Sequence, residues 1–229
     1  MLIDLNCDLG EGAGTDADVI PLITTANVAC FYHAGDPGTA YATLELAAKH
    51  GVRAGAHPSF PDREDFGRRE MDRTEEQVLN DCVYQIGALS GIARECGITL
   101  GHVKPHGALY NMACRDDRMA RPVVAAADQF RLPLLGLPNS RVQALSHSGF
   151  IPEGFADRRY RPDGSLVPRS EPHAFVHDPA EAAKQALWLA KEVGIRTLCV
   201  HGDNPQAVAF VRALRDSLTA AGFTIAPFA

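Results

Sequence analysis

Six short runs in this 229-residue chain bring together side chains that could do chemistry. They are Asn6-Cys7-Asp8-Leu9-Gly10-Glu11, His33-Ala34-Gly35-Asp36, Gly55-Ala56-His57-Pro58, Lys104-Pro105-His106-Gly107, Phe155-Ala156-Asp157-Arg158 and His201-Gly202-Asp203-Asn204. Carboxylates and imidazoles exchange protons near neutral pH. Two imidazoles with a carboxylate can hold a divalent ion and leave room for water. Lys and Arg can meet negative charge as it develops. Other candidates are weaker. His50, His147, His173 and His177 lack this setting and read as loop hydrogen-bonding residues. Pro105 between His102 and His106 argues against a helical metal pair. Arg68-Arg69 fits a solvated pair as well as an anion site. The run Gly10-Glu11-Gly12-Ala13-Gly14 does not match the dinucleotide fingerprint, and no phosphate-loop motif occurs.

Each of the six runs follows a segment that reads as a strand. Strand-like stretches are Leu2–Asn6, Asn27–Cys30, Val52–Ala56, Leu100–Lys104, Leu132–Leu137, Phe150–Phe155, Thr197–His201 and Phe223–Ala226. Helical stretches lie between most of them. One covers Thr39–His50. Another opens at Thr74, with Gln77 completing a capping box, and repeats Val78, Cys82, Ile86, Leu89, Ala93 and Cys96 before Gly97. A third opens at Asp178-Pro179 and stops near Gly194, and a last one runs from Asn204-Pro205 to Gly222. Such alternation predicts an α/β fold, a parallel (β/α) barrel of one domain over residues 1–229.

Period-two alternation sorts the strand residues into faces. Asp4, Asn6 and Asp8 share one face and Ile3 and Leu5 the other; Arg53, Gly55 and His57 oppose Val52, Ala54 and Ala56. His102, Lys104 and His106 share a face, and Cys199, His201 and Asp203 oppose Leu198 and Val200. In a barrel the apolar faces meet the helices, so the polar faces point inward, toward a wet cavity at the C-terminal end of the strands, where such barrels keep their active sites.

Composition narrows the class. Apolar residues make up 46% of the chain and charged residues 22%, enough for a large core. The formal charge of −6 argues against a broad nucleic-acid surface. No apolar run approaches the ~18 residues of a membrane span, and no signal-peptide pattern opens the chain. The six scattered cysteines read as reduced thiols, and the expected location is the cytoplasm.

In order and in detail, the runs above resemble the LamB/YcsF family. So do Phe66-Gly67-Arg68-Arg69, Val103-Lys104-Pro105-His106-Gly107-Ala108-Leu109-Tyr110-Asn111 and Leu166-Val167-Pro168-Arg169. The resemblance implies a seven-stranded barrel similar to those of glycoside hydrolases and deacetylases. It also implies ATP-dependent hydrolysis of 5-oxoproline to glutamate with two further subunits, with a homo-oligomer also open. This chain departs from the pattern at Phe31, where the family usually has Gly. It departs again in a short loop after Gly12 and in the missing insertion before Thr197.

On this reading Asp8, Lys104, His201 and Asp203 are the catalytic candidates. Asn6, Glu11, His33, Arg68, Asp157 and Arg169 are the substrate-binding ones. Asp8 or His201 would take a proton from water, while Lys104, Arg68 or Arg169 would face phosphate charge. ATP is the expected cofactor, used with the partner subunits. A divalent metal is expected through Asp8, His57 and His106, similar to the Asp/His/His site of carbohydrate deacetylases. Two rival functions remain: a lone metal-dependent amide hydrolase or deacetylase, and a subunit that only binds a small carboxylate. Because the cavity is expected to be wet, Lys104→Ala and Asp8→Asn are expected to abolish turnover without unfolding the chain.

Overall fold

The computed structural model describes residues 1–201 and 207–228, with backbone alone for His201 and Ala207. Its strands are β1 (Leu2–Leu9), β2 (Thr25–Ala29), β3 (Arg53–His57), β4 (Leu134–Gly136), β5 (Phe150–Phe155), β6 (Thr197–His201) and β7 (Thr224–Ile225). The helices are α1 (Asp16–Val19), α2 (Pro37–His50), α3 (Glu75–Glu95), α4 (Gly107–Arg115), α5 (Asp117–Gln129), α6 (Arg141–Leu145), α7 (Pro179–Trp188) and α8 (Ala207–Ala220). Helix boundaries follow local chemistry. The Thr74 hydroxyl accepts from Gln77 N–H and the Gln77 side chain accepts from Thr74 N–H, so the capping box forms as its residues predict. Asp178 caps α7, which passes into a π turn over Leu189–Val193 and stops at Gly194 with φ +77°.

All strand pairs are parallel, in the order β3-β2-β1-β6-β5-β4, and β7 joins the foot of β1. Val103 bridges Ala56 of β3 on one side and Leu134 of β4 on the other, which draws the two ends of this order together into a barrel. The expected strand over 100–104 is therefore an extended segment with isolated bridges. Gly101 is the first residue to donate to β3, and Pro105 has no N–H with which to continue the ladder on the β4 side. β1 runs on to Leu9, three residues beyond its expected end, whereas β4 and β7 are shorter than expected.

Among the described residues the face assignments hold; those of His201 and Asp203 lie outside them. Ile3, Leu5, Cys7, Leu9, Ala54, Ala56, Leu198 and Val200 join the apolar core shared with the helices. The opposite face fills the barrel with polar groups. Asp4 accepts from the hydroxyls of Thr24, Thr25 and Thr197. Above it Asn6 donates to Glu153 and Thr197, and Asn27 donates to both Asn6 and Asp8. His102 meets Asn27 at 2.7 Å, in space that exists because residue 55 is glycine: a Cβ there would lie 2.2 Å from the imidazole. At the lower end Phe228 packs against Leu135 and Ile151, and Arg53 lies 4.6 Å over its ring. All six cysteines are free thiols. Among the described residues no helix is long and apolar enough to cross a membrane.

Candidate functional site

Three strand ends and one loop deliver a compact group of side chains. Glu11 follows β1, His33 follows β2, His57 ends β3 and His106 opens α4, and their ligand atoms all lie within 4.8 Å of one another. Backbone carbonyls set the two central imidazoles. His57 Nδ1–H donates to Lys104 O at 2.6 Å, and His106 Nε2–H donates to Phe66 O at 2.9 Å. That leaves His57 Nε2 and His106 Nδ1 facing each other at 3.0 Å, an arrangement that needs positive charge, a proton or a metal ion, between them. His33 stacks on His106 with ring centroids 3.9 Å apart, and its Nε2 lies 3.1 Å from Glu11. Burial, then the neighbouring imidazoles, holds His33 and His106 well below the ordinary histidine pKa. For His57 burial acts the same way, but Asp8 outweighs it and the pKa is raised.

The loops are shaped to allow this crowding. Gly107 has φ +55°, and a Cβ there would lie 2.4 Å from the Gly67 carbonyl. Phe31, on the loop leading to His33, has φ +77°, a left-handed backbone that favours glycine. The departure from the family pattern thus falls where glycine would relieve strain.

Asp8 stands beside the imidazole group. Its Oδ2 is 3.4 Å from His57 Nε2, while its Oδ1 accepts from Lys104 at 2.9 Å and from Asn27 at 2.8 Å. Lys104 is only 2% exposed, and its ammonium also meets Glu153 at 2.9 Å, Cys199 at 3.0 Å and Asn6 at 3.2 Å. Burial alone would favour loss of its proton, but Asp8, Cys199 and Glu153 prevail and raise its pKa well above the ordinary value. The inward face at Lys104 is therefore an enclosed hub. An alanine there would leave buried carboxylates without their cation, so Lys104→Ala is expected to cost stability as well as turnover.

Lys104 borders a pocket that is also lined by Asp8, His57 and His106 and by Arg68, Arg158 and Arg169. Asn6 is fully buried beneath it and braces Asp8 through Asn27 and Lys104. Asp157 is buried next to Arg158. His201 pairs in register with Asp8 at the end of β6, and its side chain, like all of Asp203, lies outside the described residues. Glu153, Tyr110, Asn111 and Arg158 were not among the sequence candidates. A single acid inside the apolar run of β5 was the available signal for Glu153. Arg158, Tyr110 and Asn111 stood inside the motif runs with nothing in their spacing to single them out.

The match to known proteins covers the chain. The model of the LamB/YcsF family fits residues 3–229. A Methylococcus capsulatus protein named as a 5-oxoprolinase subunit is 46% identical, over 98% of this chain and 95% of that protein. A Thermus thermophilus protein of the same name is 43% identical over 100% of both. These alignments run over 246 and 250 positions, so the relatives carry insertions relative to this shorter chain. The crystal structure of a lactam utilization protein from Thermus thermophilus superposes with a TM-score of 0.90 at 42% identity, over 100% of both chains. A family 4 carbohydrate esterase from Streptomyces lividans, 10% identical, has a TM-score of 0.55 over 100% of this chain and 93% of its own, a likeness of fold alone. With its barrel, its strand-end motifs and a full-length family match in agreement, this chain belongs to the LamB/YcsF family.

Proposed function

We propose that this chain is the corresponding subunit of an ATP-dependent 5-oxoprolinase, working with two further subunits to open 5-oxoproline to glutamate. The observation that carries this reading is the end-to-end likeness, at 43–46% identity, to two proteins bearing that subunit's name. The site chemistry agrees with it. Hydrolysis adds one water across the ring C–N bond, which asks for a group to accept a proton from water and a group to return one to nitrogen. Asp8 faces the pocket with one oxygen held by Lys104 and the other turned to His57, so the Asp8–His57 pair can exchange that proton. Lys104 acts in this reading by positioning Asp8. An unactivated lactam is a poor electrophile, and the chain carries no phosphate-loop motif, so coupling to ATP falls to the assembled enzyme.

A divalent metal fits the group at the pocket, with His57 Nε2, His106 Nδ1, Glu11 and His33 as its holders. Three nitrogens and one carboxylate suit a zinc-like ion, and when bound it would polarise a carbonyl or water. Asp8 is the weaker ligand, being engaged by Lys104. The fold likeness to carbohydrate esterases does not favour a lone deacetylase.

The test is conversion of 5-oxoproline to glutamate by the purified chain, alone and with its partner subunits and ATP, alongside metal analysis of protein prepared with and without chelator. We expect little turnover by the chain alone and restored turnover in the complex. ATP-independent hydrolysis by the isolated chain, or an inactive complete complex, would refute the reading. Protein that takes up no zinc, manganese or magnesium would remove the metal.

A further inference from the structure

We infer that Arg158, with Arg169 and Arg68, forms a carboxylate subsite that orients the ligand, its acid group against the arginines and its ring amide toward Asp8, His57 and His106. The inference rests on the lactam reading above and adds which residues choose a lactam acid over a neutral lactam. Arg158 is 4% exposed yet lines the pocket. Its Nη2 donates to Val167 O at 2.6 Å and its Nε to Ala174 O at 3.4 Å, which fixes the guanidinium plane. Among the described residues no hydrogen bond engages its Nη1, so this edge is left for a ligand. Arg158 and Arg169 lie 5.2 Å and 5.1 Å from the same Phe175 ring, and Arg68 lies 4.8 Å over Phe66. Aromatic faces thus hold all three cations at one pocket, ahead of any ligand.

Charge decides which end of the ligand goes where. Beside the imidazoles Asp8 already engages the ammonium of Lys104 and Glu11 the ring of His33, whereas Arg158, Arg169 and Arg68 gather three cations, so a ligand carboxylate is drawn to the arginines. Burial, then the charges of Arg169 and Arg68, brings the Arg158 pKa down to about 10, offset in part by Asp157. An oxyanion relieves that crowding. A planar carboxylate can take two parallel N–H bonds from a guanidinium, a geometry that a neutral amide cannot match.

Calorimetry of the purified chain should compare L-5-oxoproline with 5-oxoprolinamide, which has the same ring and no charge, and with acetate and inorganic phosphate. The acid should bind more tightly than the amide by on the order of ten- to a hundredfold. Arg169→Gln should erase that difference by weakening the acid alone, and Arg158→Lys should do so with the fold preserved. In the assembled enzyme the same substitutions should raise KM far more than they lower kcat. Equal affinity for acid and amide, equal loss of both in the variants, or no binding of any of these ligands would overturn the subsite. Phosphate bound as tightly as the lactam acid, with the same arginine dependence, would overturn its assignment to carboxylate. Arginine-dependent binding of acetate, together with a complete complex that does not turn over 5-oxoproline, would sink the lactam function and leave the anion subsite standing.

Discussion

Replacing Lys104 by Met removes one cation from the lining of the pocket and leaves a side chain of similar length. The ammonium lies 2.9 Å from both Asp8 and Glu153 and is 2% exposed, so the variant keeps two carboxylates in a closed interior without their counter-charge. Breaking a buried ion pair from one side costs about 3–5 kcal/mol. At roughly 2–4 °C per kcal/mol for a chain of this size, Tm should fall by about 6–20 °C at pH 7.5. The loss should also depend on pH. A stranded carboxylate has a folded pKa above its unfolded value, so the folded variant binds more protons, and its deficit against the parent shrinks as pH falls through that folded pKa. Thermal unfolding of both proteins at pH 7.5 and 5 gives the two gaps. Adding Glu153→Gln to Lys104→Met should recover part of the loss at pH 7.5, because one of the two stranded charges is gone. A variant within ~1 kcal/mol of the parent, or an equal gap at both pH values, would refute the account of Lys104 as a buried counter-charge.

The polar interior makes two further expectations. Burial, then the charge of Arg53, brings the His102 pKa to about 3, so the unfolded chain takes up a proton near 6.5 that the folded chain refuses. Stability from this group is present above pH 6.5 and is lost as pH falls toward 3, at about 1.4 kcal/mol per pH unit. His33 and His106 act in the same direction and His57 in the opposite one. Urea unfolding at pH 7 and 5.5 should show a slope smaller by about one proton in His102→Gln, and an unchanged slope would contradict this. Gly55→Ala places a methyl 2.2 Å from the His102 ring and should cost about 1–3 kcal/mol, read as a lower urea midpoint. A midpoint equal to the parent's would show that the interior has slack at that point.

Strand parity read the barrel's two faces correctly because period two survives any error in strand ends: Asp8, His57, Lys104 and His106 converge as their alternation implied. Parity does not report depth along the barrel axis, and depth separates a solvated residue from an enclosed one. That is why Asn6 reads as a cavity residue yet lies fully buried, while Lys104, almost as enclosed, still borders the pocket. It is also why Glu11 and His33, on loops beyond the strand ends, join the imidazole group more closely than Asp8 does. Arg158, although inside one of the six runs, was not singled out for another reason. It lies on the long stretch between β5 and α7, held by Val167, Ala174 and Phe175, where neither helical nor strand periodicity applies. The 100–104 segment misled in the other direction, since its residues suit a strand while Pro105 stops the ladder on the β4 side.

Each layer of hydrogen bonds inside the barrel ties together strands far apart in the chain. Asp4 of β1 needs Thr25 of β2 and Thr197 of β6, and Asn6 needs Asn27 of β2 and Glu153 of β5. A strand that docked one residue out of register would turn its apolar face inward and strand several of these groups at once. At about 1–3 kcal/mol for each buried group left unbonded, two or three such losses approach the whole stability of an ordinary domain, about 5–15 kcal/mol. Misassembled barrels are thereby rejected by their own interiors. An aliphatic filling would tolerate a slipped strand far better, so the side chains that brace Asp8 for chemistry also proofread the order and register of the strands around it.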